Sequence, residues 1–174
     1  VASEGVFKVT ITQGETQSLE VIADNNVIHK VNTEVVDNEL RLYLDDGNYQ
    51  GINLEVNIVA LKINGLKNSG VGNMFVYNVD ENGTFKVNNS GSANILIEGR
   101  SASLDIYNEG SGIIGGFGLS VNDCSVEIQG SGDVEVNCSD NLNVKIEGTG
   151  NVYYIGNPTI EADINGSGLI IKEN

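Results

Sequence analysis

Few side chains in this sequence are equipped for chemistry, and their spacing decides what each could do. His29 is the single histidine. A nucleophilic triad would need a Ser or Cys and an orienting acid beside it. His29 instead stands between Ile28 and Lys30 in a strand-like run, and no GxSxG elbow surrounds any serine, so it reads as a surface or half-buried side chain. Asp133 and Glu135 share one strand face with Asn94 and Asn151 of neighbouring repeats. Paired carboxylates do acid–base work on glycosidic bonds, often beside a basic side chain or calcium. Here only Arg100, Lys145 and Lys172 follow Lys86, and no column stacks acid on acid on base, so catalysis is not expected. Gly115-Gly116-Phe117-Gly118 lacks the Asp of the calcium-binding glycine-rich nonapeptide. Asp45-Asp46-Gly47-Asn48 offers oxygen ligands without the closing Glu of a twelve-residue loop. No Cys and His spacing suits zinc. Neither a metal nor a cofactor is expected.

What positions these groups is a repeat. Val plus Ile reach 38 residues against 6 Ala, which disfavours helices and suits strands. Gly (22) and Asn (24) promise many turns. Segments starting at Gly70, Gly91, Gly110, Gly130, Gly148 and Gly166 open GVG, GSA, GSG, GSG, GTG and GSG, at spacings of 18 to 21 residues. After these openings an apolar column runs Met74, Ile95, Ile114, Val134, Val152, Ile170. Before them another runs Leu66, Val87, Ile106, Val126, Val144, Ala162. The residues between are largely polar, and period 2 means strands with one face buried. A unit this short cannot bury its own apolar face, but stacked copies can. The expectation is a β-solenoid with parallel pairing between coils and Gly-rich GSG corners. Asn68, Asn89 and Asn108 share one inward column, then Ile128, Ile146 and Ile164 follow. Stacked Asn side chains can bond along such a column. Residues 51–174 read as regular coils. Residues 1–50 read as irregular first coils and a cap, with strands over 6–12, 18–23, 27–31 and 39–44. The whole chain, 1–174, reads as one domain.

Cys124 and Cys138 flank Ser131 symmetrically, both with inward parity near the corner opposite the Gly turn. A disulfide closing this 15-residue loop would be worth about 3 kcal/mol in an oxidising compartment. Facing sheets, however, lie about 10 Å apart, beyond the reach of a bridge. Both states stay open, with two buried thiols favoured.

One outward face is unusually apolar. Its first column holds Phe75, Leu96, Gly115, Glu135, Tyr153 and Ile171; its second holds Tyr77, Glu98, Phe117, Asn137 and Ile155. Large apolar patches mark interfaces, so Phe75, Tyr77, Leu96, Phe117, Tyr153 and Ile155 form a candidate strip for another chain, or for cover by the N-terminal region. The net charge of −15 and pI near 4.1 repel phosphate backbones and exclude nucleic acid and anionic membranes as expected partners. No apolar run approaches the roughly 18 residues of a membrane-spanning helix.

The segments GVFKVTITQGETQSLEV, NELRLYL and GINLEVNIVALKINGLKNSGVG, followed by QGSGDVEV, EGTGNVYY and NGSGLIIK, resemble the head GIN domain family of auto-transporter adhesins of Gram-negative bacteria. The resemblance covers most of the chain. It implies a right-handed, single-stranded parallel β-helix similar in shape to pectin lyases, and a role in cell adhesion with no catalytic set. It also implies export to the periplasm or outer cell surface, and a homo-oligomer such as a trimer. The expected function is a non-catalytic adhesion or binding module presenting sheet faces to a protein or glycan. A polysaccharide lyase or hydrolase, or a structural envelope protein without an external ligand, is the alternative.

Overall fold

The computed structural model covers Val1–Asn174. The first seven strands are β1 (Ala2–Ser3), β2 (Lys8–Gln13), β3 (Ser18–Ala23), β4 (Val31–Val36), β5 (Glu39–Leu44), β6 (Leu54–Ala60) and β7 (Gly65–Asn68). The rest are β8 (Met74–Asn89), β9 (Ile95–Asn108), β10 (Ile114–Ile128), β11 (Val134–Ile146), β12 (Val152–Ile155), β13 (Thr159–Ile164) and β14 (Ile170–Lys172). From β7 onward every pairing is parallel and joins successive coils. The architecture is a β-solenoid, as the columns require. Val134 lies opposite Val152, and Met74, Ile95, Ile114, Val134, Val152 and Ile170 stand in register across six coils. The first five form a continuous, essentially solvent-free core with Phe7, Phe85, Leu104 and Leu142, against which the half-buried Ile170 packs. Each such burial contributes about 1.5–3 kcal/mol.

The corner glycines answer to sterics, not to backbone handedness. None of Gly70, Gly91, Gly110, Gly130, Gly148 and Gly166 has positive φ. At Gly91 a Cβ would instead run into the carbonyl oxygen of Gly70 one coil below, at Gly110 into that of Gly91, and at Gly148 into that of Gly130. The bare backbone lets coils stack closely enough to bond along the axis. Ser92 N–H donates to Gly70 O (3.0 Å), Ser131 N–H to Gly110 O (3.1 Å) and Ser167 N–H to Gly148 O (3.0 Å). Positive φ appears at a different bend, at Asn78 (60°), Gly99 (136°) and Gly156 (104°). Register shifts at Val76/Val79 and Glu81/Thr84 mark such turns in β8, so a coil holds three short segments.

The asparagine column is a hydrogen-bonded ladder. Asn68 Nδ2 donates to Asn89 Oδ1 (2.8 Å), Asn89 Nδ2 to Asn108 Oδ1 (2.9 Å), and Asn108 Nδ2 to Gly132 O (3.0 Å). All three are buried, and each Oδ1 also accepts the N–H of the glycine two residues on. Above them the column continues in Ile128, Ile146 and, at the end of the stack, Ile164.

The N-terminal strands do not follow chain order. β1 inserts between β5 and β7, and β2 between β6 and β8, all parallel. β3 and β4 then pair antiparallel with β6 and β5 and end the two sheets. The strand expected over 27–31 starts only at Val31. Asp24 O accepts the N–H groups of Val27 (2.8 Å) and Ile28 (3.0 Å), which continues the Asp24-Asn25-Asn26 turn into a short 3-10 turn at Ile28–Lys30. His29 therefore sits exposed on that turn.

Candidate functional site

The strip lies on the outer face of one sheet, ordered β3-β6-β2-β8-β9-β10-β11-β12-β14. Its main column reads Glu20, Asn57, Thr10, Phe75, Leu96, Gly115, Glu135, Tyr153, Ile171 in unbroken register. Phe75, Tyr77, Leu96, Phe117, Tyr153 and Ile155 are all half-buried, lying against the sheet rather than projecting from it. The N-terminal strands extend this sheet edge to edge and are not paired over its outer face. Mid-strip, the Leu96 and Glu135 side chains close over Gly115, within 3.3 and 3.4 Å of where a Cβ would stand. Burial, and then the nearby Glu173 and Asp133 carboxylates, push the Glu135 carboxyl above its ordinary range. The apolar surface is thus two patches, one around Phe75, Tyr77 and Leu96, the other around Tyr153 and Ile155.

The second column is only partly aligned. Gly115 pairs with Leu96 but Leu119 with Gly99, and Gly116 pairs with Val136 but Ser120 with Asn137. Phe117 and Gly118 thus occupy a bulge, pinned where Asn137 Nδ2 donates to Phe117 O (3.2 Å). Bulges re-aim side chains, and this one sets the Phe117 backbone against Asn137, the register partner of Ile155.

Cys124 and Cys138 are buried free thiols. Burial first, and then the neighbouring Cys138, drives the Cys124 thiol far above its usual range. The single Cys138 S–H has two carbonyl acceptors in reach, Asn141 O (3.0 Å) and Asn122 O (3.3 Å). Glu173 is the third carboxylate near Asp133 and Glu135, and no basic side chain forms a salt bridge with any of the three. Asp133 Oδ1 instead accepts the Asn151 N–H (2.7 Å). It belongs to an outer ladder in which Asn73 Oδ1 accepts Asn94 N–H, Asn94 Oδ1 accepts Ile113 N–H, and Asn151 Oδ1 accepts Leu169 N–H. The sequence carries that signal in the Asn or Asp that precedes four of the six inward column residues, at Asn73, Asn94, Asp133 and Asn151. No group of three or more His, Cys, Asp or Glu side chains is arranged to hold a metal ion. No helix is long and apolar enough to cross a membrane.

Parallel coils with flat outer faces and small-residue corners define a β-solenoid domain. The chain belongs to the family described as "Putative auto-transporter adhesin, head GIN domain", whose model matches residues 1–158. Solved structures share the fold. One is a putative adhesin from Bacteroides fragilis, 23% identical, with TM-score 0.77, aligned over 99% of this chain and 90% of that one. Another, from Parabacteroides merdae, is also called a putative adhesin, with 20% identity, TM-score 0.57 and coverage of 99% and 90%. A third, from Parabacteroides distasonis, is called a putative lipid binding protein, with 18% identity, TM-score 0.59 and coverage of 99% and 92%. No curated protein matches the chain.

Proposed function

We propose that the chain is an exported, non-catalytic adhesion module, a single domain whose rigid sheet faces dock a protein or glycan on another surface. The observation that carries this reading is the uncovered outer strip. Aromatic and aliphatic side chains at Phe75, Tyr77, Leu96, Tyr153 and Ile155 lie on a flat parallel sheet in a protein of net charge −15, and none of the paired N-terminal strands runs over them. Interfaces concentrate such residues at their centre. The family description supports the adhesive role and, with it, a cell-surface location. Phe75→Ser with Phe117→Ser should leave the fold intact and either lower the oligomeric mass in solution or abolish binding to the surface that the wild-type chain coats. Unchanged mass together with unchanged coating would remove the strip from the function.

A second reading is favoured by a cleft of about 540 Å3 at the N-terminal end of the stack. Leu19, Val35, Leu40, Ile58 and Ile63 line it, no acid does, and Lys62 is its one charged side chain. An acyl chain with an anionic head would suit it, and one solved neighbour carries a lipid-binding name. Displacement of a fluorescent fatty acid by oleate, lost in Leu19→Glu, tests that reading. Absence of any fluorescent fatty-acid binding to the wild-type chain rejects it.

A further inference from the structure

The opposite sheet holds a polar hollow of about 530 Å3 over Ala2, within the roughly 300–1,000 Å3 of small-ligand clefts. Its origin is the inserted strand β1. The outer column runs Arg41, Ala2, Lys67, Asn88, Tyr107 in register. Strands lie about 4.8 Å apart, so a methyl group between two long cationic side chains leaves a recess about two strands wide. The walls are pre-set. Glu39 accepts from Lys67 Nζ at 2.6 Å and sits 3.4 Å from Arg41 Nε, and the Lys67 contact holds its carboxyl below the usual range. On the far wall the Tyr107 hydroxyl donates to Glu109 Oε1 at 3.0 Å.

The charge pattern selects the ligand class. Two of the chain's nine basic residues meet here beside Glu4, Glu39 and Glu109. The patch is therefore nearly balanced on a strongly acidic chain. A polyanion would face the three acids, and a polycation would face Arg41 and Lys67. A sugar hydroxyl both donates and accepts, so it matches a wall where donor and acceptor stand side by side, as in Lys67 with Glu39 and Tyr107 with Glu109. The Tyr107 ring offers a flat apolar surface for the C–H face of a pyranose. Side chains already fixed by each other lose little freedom on binding.

We propose that this hollow binds a neutral oligosaccharide, its hydroxyls held by Lys67, Glu39 and Arg41 and one ring face carried on Tyr107. The proposal rests on the reading of the chain as a binding module but uses the other sheet. The test is ligand-observed saturation-transfer NMR and calorimetry on the full chain with cellopentaose, mannopentaose and chitopentaose, and with pentagalacturonate as the acidic comparator. The expected result is saturable binding of at least one neutral pentasaccharide, with Kd of about 0.1–1 mM, insensitive to added salt. Tyr107→Ala and Lys67→Ala should each weaken it by about tenfold or more, as expected for a 1.4 kcal/mol contact. Tyr107→Phe, which keeps the ring, should weaken it less, and Phe75→Ser with Phe117→Ser should leave it unchanged. Circular dichroism establishes that each variant is folded, and Glu39→Gln, equal in shape, replaces Lys67→Ala should that variant unfold. Binding to none of the neutral probes overturns the proposal, as does full binding by folded Tyr107→Ala or salt-sensitive preference for pentagalacturonate. Sugar binding lost only in the Phe75 and Phe117 variant overturns the hollow while leaving the adhesion module in place.

Discussion

Replacing Asn89 by Ile tests whether the buried asparagine ladder joins coils or merely fills space. The Asn89 carboxamide takes part in four hydrogen bonds. It accepts from Asn68 Nδ2 (2.8 Å) and from the Gly91 N–H (3.3 Å), and it donates to Asn108 Oδ1 (2.9 Å) and to Gly91 O (3.4 Å). Without it, Asn68 Nδ2 keeps Gly70 O and Asn108 Oδ1 keeps the Gly110 N–H. The Gly91 N–H, by contrast, loses the acceptor it has in the native fold. Two inter-coil bonds at about 1 kcal/mol each, plus about 1–3 kcal/mol for a stranded buried donor, sum to roughly 3–5 kcal/mol. The added apolar burial of Ile returns about 1 kcal/mol. The net expectation for Asn89→Ile is a loss of about 2–4 kcal/mol. Asn108→Ile differs because Ile128 already continues the column above it, and the Gly110 N–H also reaches the Asn89 backbone carbonyl (3.1 Å). Its cost should be about 1–2 kcal/mol. The assay is equilibrium urea unfolding followed by both tyrosine fluorescence and far-UV circular dichroism, since the chain has no Trp. Coincident transitions matter because solenoids can unfold coil by coil. The reasoning fails if Asn89→Ile matches wild type, or costs no more than Asn108→Ile.

Three other outcomes follow from particular contacts. Gly110→Ala drives a Cβ into the Gly91 carbonyl and should cost more than about 3 kcal/mol; a thermal midpoint within a degree of wild type would show that the corners can spread. Cys124 and Cys138 should resist a disulfide reagent such as DTNB in the native state and react fully in urea, because both thiols are buried and pushed upward; immediate native reaction, or a bridged peptide in a non-reducing map, contradicts this. Burial raises the Glu81 carboxyl, but the Gly83 N–H (2.9 Å) and Lys62 (3.1 Å) outweigh it and hold the group below its usual range. Its contribution is therefore present above the unfolded value of about 4.3 and lost as pH falls through the lower folded value. Glu81→Gln should be less stable than wild type at pH 7, with the gap narrowing as pH falls below the unfolded value; a gap that does not change with pH would assign its cause to packing.

Much of this fold was legible because a stack repeats its own evidence. One apolar residue at Val134 says little, but the same kind of residue at Ile95, Ile114 and Val152 fixes strand, face and neighbour together. The asparagine ladder was readable for the same reason, since an inward amide needs a partner and the column supplies one. Where a feature occurs once, that redundancy is gone. β1 is a two-residue strand, and nothing in Ala2-Ser3 specifies a place between β5 and β7. The bulge at Phe117 was hinted at only by the 20-residue step from Gly110 to Gly130 against 18 in the next. The strip residues were legible as outward-facing, but their division by Gly115 and Glu135 depends on two side chains folding over a glycine. The corner glycines were visible as a motif whose cause was not, because the clash that forbids a Cβ lies one coil away.

A solenoid in strict register gives flat faces with like neighbours at every step, and such a face has no recess. The strip keeps that register along its main column, while both recesses fall where the repeat is broken. β1 places the small Ala2 between Arg41 and Lys67 and opens the polar hollow. β3 and β4 turn antiparallel, and the apolar cleft at the N-terminal end opens with Leu19 on β3 and Val35 on β4 among its lining. β10 bulges and sets Phe117 against Asn137, beside Ile155 of the strip. The regular coils from β8 to β11 contribute stiffness, through the shared core and the ladder, and that stiffness fixes the spacing between these irregular points. Shortening the chain by one regular coil, residues 130–147, would leave the hollow untouched but remove Glu135 and set Tyr153 next to Gly115. Ligand binding at Tyr107 should then survive while docking through the strip changes. Equal loss at both surfaces would mean that the coils do not act as independent spacers.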